Sequence, residues 1–393
     1  MTKYSIFILL LASMLFTACG GDDGLDTPRK EALKGQEKEE LPATIDDTYE
    51  YQLPVIFHVF YQDKDDKRQY IPKTRLKNLI QYVNDIYRGD VYEDKKSANT
   101  NIKFVLAEKD EKGRTLSAPG VEYIYYSGEY PIDEVSFMSS EDNVKYIWDP
   151  NKYINVMLYP FKQKDEGEVL GISHMPFTVK GKHKLEGLEE IEERYVSKAQ
   201  LGFPLCSSIN SIYVGQSLFG AYYQSDRYTD ANHQAKYYMS NDVVVTLAHE
   251  LGHYLGLFHI FTEDILSEAK SDIFNHADSC ADTDYCKDTP SYNRSEYNAY
   301  LDNYYKITPP NEQDMLDLIK RYSCDTTLFY SANIMDYAIT LGYKISEDQK
   351  ARMRHVLYYS PLIPGPKLNG VNKKTRATDE SQRKIYTRPR LIR

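Results

Sequence analysis

His249-Glu250-Leu251-Gly252-His253-Tyr254-Leu255-Gly256-Leu257-Phe258-His259 sets three imidazoles and one carboxylate within eleven residues. The preceding run, Met239 to Ala248, reads as the start of a helix. Asn241 or Asp242 can cap it, and Val244, Leu247, Ala248 and Leu251 form its apolar side. Residues four apart share a helix face, so His249 and His253 can aim both Nε2 atoms at one metal ion. Glu250 adjoins the first of them, where its carboxylate can serve a metal-bound water as general base. Gly256 can adopt a positive φ, end the helix and turn the chain back so that His259 becomes a third ligand. Three neutral nitrogens leave one position of a tetrahedral zinc ion open to water, the arrangement of a catalytic site rather than a structural one. A bare His-Glu-x-x-His also occurs on solvated helix faces. The longer pattern fixes five positions, and its chance appearance in a chain this size is on the order of one in a hundred thousand.

Outward from the motif, the chain alternates strand-like and helix-like segments. Tyr51 to Gln62 is rich in β-branched and aromatic residues and predicts a strand. Pro72 opens a helix whose apolar positions, Leu76, Leu79, Ile80, Val83, Ile86 and Tyr87, keep core-facing spacing. Ile102 to Asp110, Val121 to Tyr126 and Tyr153 to Phe161 read as further strands, and Glu168 to Phe177 as an edge strand. This order predicts an α/β (α+β) fold with a mixed, mostly parallel sheet packed by helices. Lys180 to Lys198 reads as an inserted loop and surface helix, and residues 264–331 as an irregular, loop-rich stretch. Ser346 to Tyr359 predicts a C-terminal helix that ends before Pro361. His174 is expected to be a core or rim residue, and His58, His183 and His233 are assigned no chemistry.

The long zinc motif resembles that of the metzincin metalloproteases. A second element agrees: Ala332-Asn333-Ile334-Met335-Asp336-Tyr337 is similar to their methionine-containing turn, with Met335 at the methionine position. Asn333, Met335, Asp336 and Tyr337, together with Asp288-Thr289-Pro290, Leu53 to Tyr61 and Leu170 to Phe177, resemble the pappalysin (cytophagalysin) branch. The likeness spans roughly residues 50–360. It implies a twisted mixed sheet packed by a backing helix, with the zinc helix above the cleft, a loop-rich lower subdomain and a C-terminal helix. It further implies that Gly171, Ile172 and Ser173 form a cleft rim that pairs with an extended substrate. Met335 would be a packing residue under the metal, and the Tyr337 hydroxyl would stabilise an oxyanion, a structural tyrosine being the alternative. Where relatives often carry Gly-Asp-Gly-Cys after the third histidine, this chain has Asn275 to Cys280. Propeptide cysteines can block zinc in latent pappalysins. Here the one cysteine ahead of the catalytic region is Cys19, so that form of latency is not expected.

The N-terminus reads as a targeting segment: Lys3, an apolar run of about a dozen residues too short to span a membrane, and a lipobox-like Phe16-Thr17-Ala18-Cys19. Residues 1–18 are expected to be a lipoprotein signal peptide, with Cys19 acylated. A plain secretory signal is the alternative. Gly20 to Asp26 resembles export signals that carry lipoproteins to the outer surface of some Gram-negative bacteria, so the expected location is the outer membrane or cell surface. Residues 19–47 then form a polar tether, 48–259 an upper catalytic subdomain and 260–362 a lower one. Nine Lys or Arg against two acidic residues in 364–393 predict a basic, disordered tail over 363–393, a docking segment or removable extension being the alternative.

Four cysteines besides Cys19 suggest two disulfides in an exported protein, with three pairings open. No Cys-x-x-Cys spacing supports a second zinc site. The pappalysin resemblance implies Cys280 with Cys324, and with it Cys206 with Cys286. Asp278, Asp282, Asp284 and Asp288 carry oxygens of the kind calcium takes, at a spacing foreign to an EF-hand; solvated loop carboxylates are the alternative. The resemblance raises Asp288 most, and Asp278 and Asp288 are kept as candidate calcium ligands. A net charge of −10 argues against a nucleic-acid partner. The expected activity is therefore a zinc endopeptidase acting on protein substrates. The rival is an inactive surface lipoprotein that binds protein or glycan on a protease scaffold.

Overall fold

The computed structural model describes residues 46–91, 97–164, 169–214, 243–263, 278–337, 339–368, 384–385 and 387–392. The expected signal peptide, Cys19, nearly all of the expected tether, and the cap candidates Asn241 and Asp242 lie outside the described residues. Eleven strands are described: β1 (Tyr51–Tyr61), β2 (Ile102–Leu106), β3 (Val121–Tyr125), β4 (Ile154–Tyr159), β5 (Gly171–His174), β6 (Thr178–Val179), β7 (Glu190–Ile191), β8 (Ser207–Asn210), β9 (Lys320–Tyr322), β10 (Leu328–Tyr330) and β11 (Leu391–Ile392). The α-helices are α1 (Lys73–Arg88), α2 (Glu134–Ser139), α3 (Val243–Tyr254), α4 (Arg294–Ile307), α5 (Met315–Leu318) and α6 (Glu347–Tyr359).

The main sheet runs β11-β5-β8-β4-β1-β2, with β3 also pairing β1. β1 is parallel to β2 through its first half, to β3 through its second half and to β4 on its other edge. That central position leaves Val55 to Phe60 buried on both faces, which is why the segment reads as a continuous apolar run. β4 and β8 are parallel, whereas β5 runs antiparallel to β8. The sheet is mixed as predicted.

α1 backs the sheet. Pro72 presets the entry with φ −63°, Gly89 at φ 74° ends the helix, and the six predicted apolar positions are all buried. α3 packs against β5, β8 and α1, and all twelve of its residues are buried. α6 starts at a capping box between Ser346 and Gln349.

Four expectations need correction. Lys180 to Lys198 contains no surface α-helix: its β7 pairs back to β6 just ahead of it, and a short 3-10 turn follows at Lys198–Gln200. The stretch expected to be irregular contains α4, capped by the Asn293 side chain on the Glu296 amide. Its inward residues are Tyr297, Leu301 and Tyr304, at helical spacing. Tyrosine supplies the apolar area here, so a pattern scored on aliphatic residues misses it.

The third correction concerns cysteines. Cys280 and Cys324 form a disulfide across a sequence separation of 44 residues, a closure worth about 4 kcal/mol in the chain-entropy model. Cys206 and Cys286 are both free and buried, not joined. Cys206 directly precedes β8 and is buried in the core, while the Cys286 amide donates to Asp284 Oδ1. Burial pushes both thiols up.

The fourth is the tail. Residues 384–385 and 387–392 pack on the domain instead of being solvated. β11 pairs antiparallel with β5, so β5 is not the outermost strand. Ile385 bridges Leu201, and Ile392 is 1% exposed. Apolar Ile385, Leu391 and Ile392 alternate with the basic residues and give this stretch something to bury.

Candidate metal centre and cleft

α3 carries His249 and His253 one turn apart, and Gly256 (φ 94°) reverses the chain towards His259. The three Nε2 atoms stand 2.9, 3.1 and 3.3 Å from one another. Among the described residues this is the single cluster of three or more His, Cys, Asp or Glu side chains able to share a metal ion.

Each imidazole is oriented from behind. His249 Nδ1 donates to the Ile334 carbonyl at 2.6 Å, and His253 Nδ1 to the Leu257 carbonyl at 2.7 Å. His259 Nδ1 donates to Glu263 Oε1 at 2.6 Å. Carbonyl and carboxylate oxygens only accept, so these bonds place the protons on Nδ1 and turn all three Nε2 lone pairs inward. Lone pairs facing one another repel, and a shared cation turns that repulsion into binding. A tetrahedral zinc ion with bonds of about 2.0–2.1 Å separates its nitrogens by roughly 3.3 Å, close to the spacing found here. Burial pushes His249 down to about 4 and pushes His253 and His259 well down. All three rings are thus neutral, as metal ligands must be. The residues fit zinc.

Glu250 is fully buried and lies under β5. Gly171 and Ser173 project from the same face of that strand. The Ser173 hydroxyl stands 2.7 Å from Glu250 Oε2, and a Cβ on Gly171 would come within 2.5 Å of Glu250 Oε1. Burial raises the carboxyl to about 8, with the Ser173 hydrogen bond pulling the other way. A divalent cation nearby would lower it.

The Met-turn closes the floor. Met335 is buried, its amide donates to Asn333 Oδ1, and its carbonyl accepts from the Ile260 amide. Asp336 accepts from Tyr292 Oη at 2.6 Å, from the Tyr337 amide at 2.7 Å and from Ser331 Oγ. The buried Arg321 guanidinium donates to the carbonyls of Tyr337 and Ile339. The Tyr337 ring lies 4.5 Å from the His259 ring and 5.7 Å from that of His249, with Arg294 stacked 4.0 Å above it.

The calcium candidates do not converge. Asp278 accepts from the Asn293 side chain, and Asp288 accepts from Ser346 Oγ and the Asp348 amide at the start of α6. Both carboxylates are met by protein donors, and neither belongs to a metal-holding group of three or more side chains among the described residues. His174 is a core residue against Phe203, held neutral by burial at about 3.

Sequence reasoning missed the parts played by Ser173, Glu263, Arg294 and Arg321. Glu263, four residues after the third histidine, was the one visible in the motif's own neighbourhood.

Residues 218–358 match the family model of Peptidase_M43, described as pregnancy-associated plasma protein-A. Over these residues the chain is similar to that family. A search of curated proteins gives no match. Among solved structures, mature mirolysin of Tannerella forsythia in complex with a cleaved peptide aligns at 20% identity and TM-score 0.46, over 77% of this chain and 90% of its own. Mirolysin in complex with compound 9 aligns at 20% and 0.48, over 79% and 92%. A mutant promirolysin of Tannerella forsythia aligns at 19% and 0.47, over 79% and 81%. The matched region contains all three imidazoles, Glu250 and the methionine turn.

Proposed function

We propose that this protein is a zinc-dependent endopeptidase that hydrolyses peptide bonds of protein substrates, with Glu250 as general base. The observation that carries the reading is the convergence of three neutral, back-braced imidazoles next in the chain to a buried carboxylate. Zinc held by His249, His253 and His259 would supply Lewis acidity, polarising the scissile carbonyl and bringing the pKa of water towards neutrality. Glu250 takes the proton of the attacking water and passes it to the leaving amine. Its raised proton affinity suits the second task, and the Ser173 hydroxyl holds the carboxylate in place. The Tyr337 hydroxyl donates to the developing oxyanion, a role supported by the ring's position against His259. Gly171, Ile172 and Ser173 offer main-chain groups to an extended peptide.

Export and lipid anchoring at Cys19, on the outer membrane or cell surface of a Gram-negative bacterium, complete the reading. The Cys280–Cys324 bond supports an oxidising compartment. The rival, a binding protein on an inactive scaffold, is disfavoured by the intact Glu250 and histidines. The test is cleavage of casein and of a mixed peptide library, with and without a chelator. Chelator-sensitive cleavage is expected; no cleavage by zinc-replete protein would favour the rival.

A Gly171→Ala variant probes the rim. The new methyl group has no room beside Glu250. Displacing the base by about 1 Å is expected to lower kcat about 10²-fold with zinc content unchanged. Steady-state hydrolysis checks this, and wild-type turnover would show that the carboxylate has other space.

A further inference from the structure

We propose that the C-terminal segment, residues 387–392, is a built-in competitor for the substrate strand. The proposal rests on the endopeptidase reading, in which β5 receives the substrate. Leu391 and Ile392 lie opposite His174 and Ser173, and the Met175 amide donates to the Arg390 carbonyl at 2.8 Å. The free edge of β5 has one set of main-chain donors and acceptors, and β11 uses it. An extended substrate needs the same groups. Both cannot pair at once.

A second anchor lies at the metal centre. Arg390 Nη2 is 3.2 Å from Glu263 Oε2, on the carboxylate whose other oxygen accepts from His259 Nδ1. The Arg390 guanidinium also lies over the Phe258 ring, beside that third imidazole in the chain. The tail therefore bridges the rim strand and the support of a ligand. Upstream, Ile385 is tied to Gln200 and Gly202 by main-chain bonds, which presents the following residues to β5.

A tethered segment acts at an effective concentration on the order of 1 mM, so pairing with a dissociation constant of about 0.1 mM raises the apparent KM about tenfold. The direct test is the full chain against its Arg390→Ala/Ile392→Pro variant, which loses the ion pair and one ladder N–H. With a fluorogenic peptide substrate, KM is expected to fall about tenfold while kcat stays within about twofold. A synthetic peptide of residues 384–393 should then restore the higher KM competitively in the variant. A strand needed only for stability would instead move kcat and Tm. As a readout independent of activity, hydrogen exchange at the Ser173 and Met175 amides, measured in a Glu250→Gln background, should accelerate when the tail carries the two substitutions. Chelator-sensitive cleavage with equal KM in both proteins and unchanged exchange would overturn the tail's role and leave the endopeptidase reading standing. Faster exchange without chelator-sensitive cleavage in either active-site-intact protein would overturn that reading, and the competitor role with it.

Discussion

Glu250→Gln is expected to keep one equivalent of zinc and lose about 10²–10⁴-fold in kcat. The amide matches the carboxylate in shape and can still meet the Ser173 hydroxyl, but it cannot take a proton from water. Folding should not suffer. Burial raises the carboxyl to about 8, so in the metal-free protein the ionised form is the disfavoured one, and its cost grows as pH rises from the ordinary carboxylate range through that value. A neutral side chain removes this cost, and the metal-free Tm at neutral pH should be no lower than that of wild type. Peptide hydrolysis, metal analysis and thermal unfolding on the same preparation decide the matter. Hydrolysis within tenfold of wild type by the zinc-loaded variant would remove Glu250 from the role of base.

His259→Ala has the second large effect, on zinc affinity. Replacing groups that merely support a ligand typically costs 10–100-fold in affinity, so removing the ligand itself should cost more than about 10²-fold. Glu263→Gln provides the graded comparison. It leaves the imidazole and weakens the 2.6 Å hydrogen bond that fixes its tautomer, so a loss of about 10–100-fold is expected. Competition with a fluorescent zinc chelator measures both. Equal zinc affinity in wild type and His259→Ala would exclude His259 as a ligand and undo the convergence argument. Loss in His259→Ala with none in Glu263→Gln would leave the metal site intact and assign Glu263 to the Arg390 contact alone.

Much of the site was legible because its parts are close in sequence. Two of the histidines share one helix face, the third follows a glycine reversal, and the proposed base adjoins the first histidine. Such geometry follows from helix periodicity and one permitted φ angle. β1, α1, β4 and α6 were legible for a related reason: each carries its own apolar period or capping box. α4 was harder to see because its buried stripe is tyrosine, which spends its apolar ring and its hydroxyl in different places.

Contacts between distant segments were not legible. Nothing near Cys206 or Cys286 says that both remain free, because pairing depends on where the sheet and the loop after α3 meet. Asp278 and Asp288 have the chemistry calcium takes, and only the surroundings show that protein donors satisfy them. Ser173 meets Glu250 across 77 residues. Arg321 of β9 braces the Met-turn from another element through the Tyr337 carbonyl.

The amino-acid order by itself determined the grouping of three imidazoles and one carboxylate and the strand–helix alternation, since both depend on spacings of ten residues or fewer or on local periodicity. Tertiary structure alone decided what orients each imidazole, which cysteines join and where the basic C-terminus rests. A two-residue strand such as β11 has no period of its own, and it exists because the unpaired edge of β5 offers hydrogen bonds that its sequence neighbours do not.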